Sequence, residues 1–150
     1  MLVPQPGAKH MTETLSCPEL AEGIYTYQPG AGWVRGLREG GKATILVFVN
    51  VFCQHACNDI VQRIFSKLAG LVNSGAVGLV LVVCTRFRRV CSDSDARRLF
   101  MIYNIIASPS VIAYASNGIL LGSAKGSLRV ERELDSLLDR VAAHAATGVL

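Results

Sequence analysis

The sequence holds 150 residues, 51% hydrophobic and 17% charged, about the length of one domain. That balance excludes a disordered charged tail, which needs few apolar and many charged residues. A net charge of +4 with aromatics at only 7% argues against a nucleic-acid surface, and five cysteines are too few, and odd in number, for a secreted disulfide scaffold.

Residues 1–23 are weakly patterned and read as a flexible leader without the apolar core of a secretory signal. Residues 24–146 read as a single domain. The longest apolar tract, 68–84, is interrupted by Gly70, Asn73, Ser74, Gly75 and Gly78. It therefore reads as a helix end, a turn and a strand rather than a membrane span. The expected setting is cytoplasmic, for a monomer with no membrane or nucleic-acid partner.

Residues 24–27 suit a short strand closed by the Gln28-Pro29-Gly30 turn, and 36–42, with three glycines, a loop. Residues 43–51 form an unbroken, β-branched apolar run, the signature of a central strand covered on both faces. Ile60, Ile64 and Leu68, with Val61, Phe65 and Val72, then repeat at helical spacing up to Gly75. Residues 77–83 are a second central strand. Residues 93–103 read as a helix with Leu99, Met101, Ile102 and Tyr103 apolar and Ser92 or Ser94 as N-cap. Residues 110–115 are a third strand, and the Asn117-Gly118 turn pairs it with 119–124. Val130, Leu134, Leu137, Leu138 and Val141 stripe a last helix with Ser127 as its N-cap. The order β-α-β-α-β-β-α predicts two right-handed crossovers, a parallel core with an antiparallel hairpin at its edge, and helices on both faces.

Phe52-Cys53-Gln54-His55-Ala56-Cys57 lies between the first central strand and its helix, where parallel strands present catalytic groups. A thiol at a helix N-terminus meets free N–H donors and the positive end of the helix dipole, which favour the anion a nucleophile needs. A second thiol four residues on can close onto the first and release a mixed-disulfide partner. Cβ atoms at i and i+4 of a helix are about 5–6 Å apart, and a disulfide needs about 3.5–4.5 Å. Cys53 must therefore sit in the loop just before the helix for a Cys53–Cys57 disulfide to form. Histidine exchanges protons near neutrality, which makes His55 a candidate for proton transfer. Cys84 and Cys91 are the other two thiols able to close a short loop, which leaves Cys17 free. Arg86, Arg88 and Arg89, with Arg97 and Arg98, form a solvated basic face, or else lower the pKa of nearby thiols or attract an acidic partner.

From about Thr44 to Leu138 the sequence resembles the thioredoxin family. The helix-preceding cysteines match that family's active site in position. The stretch from Tyr103 through Ser108-Pro109-Ser110 to Tyr114 resembles the segment entering its cis-proline strand. Asn117-Gly118 resembles its hairpin, and Gly126 follows Gly118 at the family's spacing. The resemblance implies a three-layer α/β sandwich around a mixed sheet, with a cis Ser108-Pro109 bond facing the cysteines. It implies that Ser108 and Pro109 meet the substrate peptide, and Phe52 is grouped with them.

Three positions depart from the family pattern. The spacing is Cys-x-x-x-Cys. Aligned without a gap, Cys57 is the resolving cysteine and Gln54 takes the nucleophile's place; with one residue inserted, Cys53 attacks, which is the preferred reading. Phe48 stands where the family buries an aspartate, and Ala56 where its motif has proline.

The expected function is a thiol–disulfide oxidoreductase without cofactor. Cys53 attacks and Cys57 resolves a protein disulfide, with protein disulfides or dithiols as substrates and an unidentified electron donor. One alternative is a redox-inactive peptide-binding adaptor. The other is a copper-binding protein that uses Cys53 and Cys57, since the motif also resembles the SCO-type copper chaperones. Their distant histidine ligand has no match in His10, His55 or His144.

Overall fold

The computed structural model describes residues 15–85 and 91–147. His10, most of the expected leader and the arginines at 86, 88 and 89 lie outside the described residues.

Strands β1 (Gly23–Gln28), β2 (Gly32–Arg35), β3 (Ala43–Asn50), β4 (Val77–Cys84), β5 (Ser110–Ala115) and β6 (Leu120–Lys125) form one sheet. Among the described residues three helices pack on this sheet: α1 (Gln54–Asn73), α2 (Ser94–Ile102) and α3 (Ser127–Thr147). The strand order is β2-β1-β4-β3-β5-β6. β3 and β4 run parallel, and the other neighbouring pairs are antiparallel.

The unbroken apolar runs are explained by cover on both faces. Ile45, Val47 and Val49 of β3 and Leu79, Leu81 and Val83 of β4 face α1 and α3. Their neighbours Leu46, Phe48, Val80 and Val82 face α2. On the first face Ile60, Ile64 and Leu68 of α1 meet Leu134, Leu137 and Val141 of α3. Arg63 to Asp135 at 3.2 Å and Lys67 to Asp139 at 3.0 Å tie these helices at the surface. On the second face Phe48 meets Phe100 edge-on, with ring centres 5.1 Å apart. This is a three-layer α/β sandwich around a mixed sheet, the architecture that the resemblance to the thioredoxin family implies.

Several expectations are corrected. β5 lies antiparallel to β3, with Ser110 opposite Phe48, so only one crossover joins parallel neighbours. The nine residues of α2 rise about 13 Å, short of the roughly 26 Å of an eight-residue strand. The chain therefore re-enters the sheet at the edge it left. Asp93, not Ser92 or Ser94, caps α2, accepting the Ala96 N–H at 2.9 Å. Ala96 and Phe100 are its buried positions, while Met101 and Ile102 are exposed. β2 adds an outer strand that the sequence reading omits.

Residues 15–22 are not a loose leader. Cys17 and Leu20 are buried against α1. The Cys17 N–H donates to Asn58 Oδ1 at 2.9 Å, and the Leu20 N–H to Gln54 Oε1 at 3.1 Å. Gln54 Nε2 donates to the Pro18 carbonyl at 3.0 Å, and Trp33 Nε1 to the Ser16 carbonyl at 2.8 Å.

Candidate functional site

The site forms where β3 hands over to α1. Asn50 ends β3 and folds the turn: its side-chain Oδ1 accepts the Phe52 N–H at 2.9 Å and its carbonyl accepts the Cys53 N–H at 3.1 Å. The Val51 N–H donates to the Cys84 carbonyl at 3.0 Å, fixing the turn to the neighbouring strand. Phe52 is thereby turned outward, 75% exposed. Cys53 follows as the N-cap residue of α1, with non-helical φ −101° and ψ 41° and no side-chain capping bond. Its sulfur is left for other partners.

One such partner is on the facing loop. The Ser108–Pro109 peptide bond is cis. Ser108 Oγ accepts the Asn50 N–H at 3.0 Å and donates to Cys53 Sγ at 3.3 Å. A hydroxyl can do both, having one proton and two lone pairs. The Pro109 carbonyl accepts the Gly126 N–H at 3.0 Å. Ser108 thus couples the end of β3, the thiol and the loop that precedes β5. An open groove of about 570 Å3 leads from Pro109 between α1 and α3, past Ala56, Ile60, Arg63 and Val130. Phe52 and Ile106, both exposed, add apolar surface on the two loops.

The cysteine pairing is a correction. Cys57 is fully buried and bonds to Cys17, with their Cα atoms 6.2 Å apart, instead of to Cys53. The thiol left free is Cys53, half-buried, not Cys17. The Cys57 N–H donates to the Cys53 carbonyl at 2.9 Å, which sets the two cysteines one turn apart, and in this state Cys53 Sγ accepts from Ser108 Oγ instead of bonding to Cys57. Segment 15–22, pinned by Asn58 and Gln54, supplies a sulfur that is closer. No local pattern announces a bond across a sequence separation of 40. Cys84 and Cys91 also form a disulfide, with Cα atoms 5.0 Å apart.

The remaining expected residues separate. The side chain of His55 is 93% exposed and faces Asp59 at 3.5 Å. Gln54 is hydrogen-bonded to the N-terminal segment through Leu20 and Pro18. Phe48 packs on the α2 face of the sheet with Cys84 and Cys91, opposite Cys17, Cys53 and Cys57. For copper, the Cys53 and Cys57 pair is not available in this state because Cys57 is bonded to Cys17. Among the described residues, no group of three or more His, Cys, Asp or Glu is placed to hold a metal ion. Arg97 donates to the Cys91 carbonyl at 3.0 Å, and so serves the loop rather than a free basic face.

Glu22 is a residue the sequence reading missed. Its carboxylate accepts hydrogen bonds from the backbone N–H and hydroxyl of both Thr85 and Ser92. It thereby joins the N-terminal segment to both ends of the loop closed by Cys84–Cys91. Burial pushes this carboxyl up, but the bonds from Ser92 and Thr85 outweigh it and hold the group at about 2.

No family model matches the sequence, and no curated protein matches it. Solved structures do. Thioredoxin from Aeropyrum pernix is 19% identical with a TM-score of 0.44, over 78% of this chain and 96% of that one. StoA from Bacillus subtilis is 17% identical with a TM-score of 0.43, over 80% and 98%. Tryparedoxin II from C. fasciculata is 9% identical with a TM-score of 0.43, over 65% and 78%. Among the described residues, no helix is long and apolar enough to cross a membrane.

Proposed function

We propose that the protein is a thiol–disulfide oxidoreductase in which Cys53 is the attacking thiol. The observation that carries this reading is the placement of Cys53: the free cysteine at the start of α1, hydrogen-bonded by Ser108 and beside the Pro109 loop. Cys53, as thiolate, attacks one sulfur of a substrate disulfide. A mixed disulfide forms and the other substrate sulfur leaves as thiolate. In the reduced protein, Cys57 then attacks Cys53 Sγ and releases the second substrate thiol. Two electrons pass from the cysteine pair to the substrate, and a dithiol reductant restores the pair. Exposed Phe52 and Ile106 and the groove beyond Pro109 suit a peptide with apolar side chains around its cystine.

The test is reduction of a protein disulfide such as insulin, with dithiothreitol as reductant. The wild type accelerates the reaction, and Cys53→Ser falls to the rate of dithiothreitol alone. Cys57→Ser turns over far more slowly than the wild type because its mixed disulfide is not resolved. A wild type and both variants that are equally inert overturn the reading.

A further inference from the structure

We infer that Cys17 is a third redox cysteine, and that the buried Cys17–Cys57 disulfide is opened from within by Cys53. The inference rests on the reading of Cys53 as the attacking thiol, and it adds where the oxidised state of the protein is stored.

Access motivates it. Cys57 is 0% exposed and Cys17 only 8%, so an external thiol meets little surface of either residue, and exchange requires a thiolate to reach one of their sulfurs. Cys53 is the free cysteine, one helical turn before Cys57, and its side chain packs against the same apolar cluster as Cys17 and Cys57. Because it is the N-cap, with non-helical backbone angles, its side chain can turn toward Cys57 without breaking a helical interior.

The step balances without any outside reagent. The Cys53 thiolate attacks Cys57 Sγ, a Cys53–Cys57 bond forms, the Cys17–Cys57 bond breaks, and Cys17 leaves as thiolate. The oxidised bond now lies at the half-buried Cys53, beside Ser108 and Pro109. In reverse, Cys17 attacks Cys57 Sγ, frees Cys53 and returns the protein to the state described above. Reversal needs Cys17 to stay close once released. Four hydrogen bonds outside the disulfide hold the strap: Cys17 to Asn58, Leu20 to Gln54, Gln54 to Pro18, and Trp33 to Ser16. Two of the anchoring side chains, Gln54 and Asn58, each follow one of the α1 cysteines directly, so the first turn of the helix positions all three sulfurs. Such tethering keeps the effective concentration of the third thiol high.

The test is the rate at which dithiothreitol opens Cys17–Cys57 in the native, folded protein. It is followed by acid quenching, alkylation and peptide mass mapping in wild type and Cys53→Ser. The Cys84–Cys91 pair is read in the same digest. The expected result is that Cys53→Ser slows opening of Cys17–Cys57 by about tenfold or more, since access governs exchange, while Cys84–Cys91 opens at one rate in both proteins. Equal rates for Cys17–Cys57 overturn the inference. A second variant, Cys17→Ser, is oxidised with glutathione disulfide and mapped. A Cys53–Cys57 bond is expected; Cys53 and Cys57 left as thiols or as glutathione adducts show that they cannot meet, and overturn it. Neither measurement uses a protein substrate. Equal opening rates in a protein that still reduces insulin remove the relay alone, while Cys53-dependent opening in a protein inert toward insulin removes the substrate reading alone.

Discussion

Two disulfides lie at the same edge of the sheet, and they differ in what stands beside them. Cys17–Cys57 has a free thiol one helical turn away, a hydroxyl that donates to that thiol, and a groove that opens at the neighbouring Pro109. Cys84–Cys91 has Glu22, whose carboxylate ties Thr85 to Ser92 across the loop that this bond closes. Cys84 sits opposite Asn50 in the β3–β4 register, so both pairs share the edge at which parallel strands present functional groups. Position on the fold therefore does not distinguish the two pairs. On the proposed reading, the free Cys53 thiol beside the first pair does.

Substitutions can break that contrast, and the largest effect is expected at the first pair. Removing it with Cys17→Ala and Cys57→Ala frees a segment with a sequence separation of 40. The chain-entropy account gives a loss of about 4 kcal/mol, read in a denaturant melt, together with loss of turnover. Removing the second pair with Cys84→Ala and Cys91→Ala, separation 7, should cost about 2–3 kcal/mol and leave insulin reduction at the wild-type rate. Loss of turnover in that double variant would erase the distinction between the pairs.

Ser108→Ala sharpens the contrast more gently. It removes the donor to Cys53 and leaves the Asn50 N–H without its acceptor, a loss of about 1–3 kcal/mol. Turnover should fall in step at the first pair, with no change in the opening rate of Cys84–Cys91.

The second pair also carries an effect of acidity. The folded Glu22 carboxyl lies at about 2, below its ordinary 4.5. A depressed carboxyl contributes stability that is complete above its unfolded value and fades as pH falls from about 4.5 to about 2. Glu22→Gln should lower stability at neutral pH and flatten the profile across that window. An acid limb of unchanged shape in the variant would remove Glu22 as its cause.

Much of the layered fold was legible because its cause is local. Residues 43–51 and 77–83 read as central strands because two covered faces demand unbroken apolar runs. α1 and α3 read as helices because their stripes are long. α2 misled because in nine residues Met101 and Ile102 carry the apolar content while Ala96 and Phe100 carry the burial. β2 escaped because Trp33 and Val34 are only half-buried and stand between glycines, so no alternation marks them. The place of Cys53 was legible from the strand–helix junction. Its partner was not, since an odd cysteine count requires one free thiol without saying which. That choice is made by Asn58 and Gln54, which draw residues 15–22 onto α1 through contacts distant in sequence.

The central claim, that Cys53 attacks the substrate, is tested most directly by trapping. Insulin is mixed with pre-reduced Cys57→Ser protein, quenched in acid and mapped by peptide mass, with Cys17 and Cys53 both present as thiols. The account predicts a mixed disulfide between an insulin cysteine and Cys53. A mixed disulfide at Cys17 instead, or none at Cys53, contradicts it.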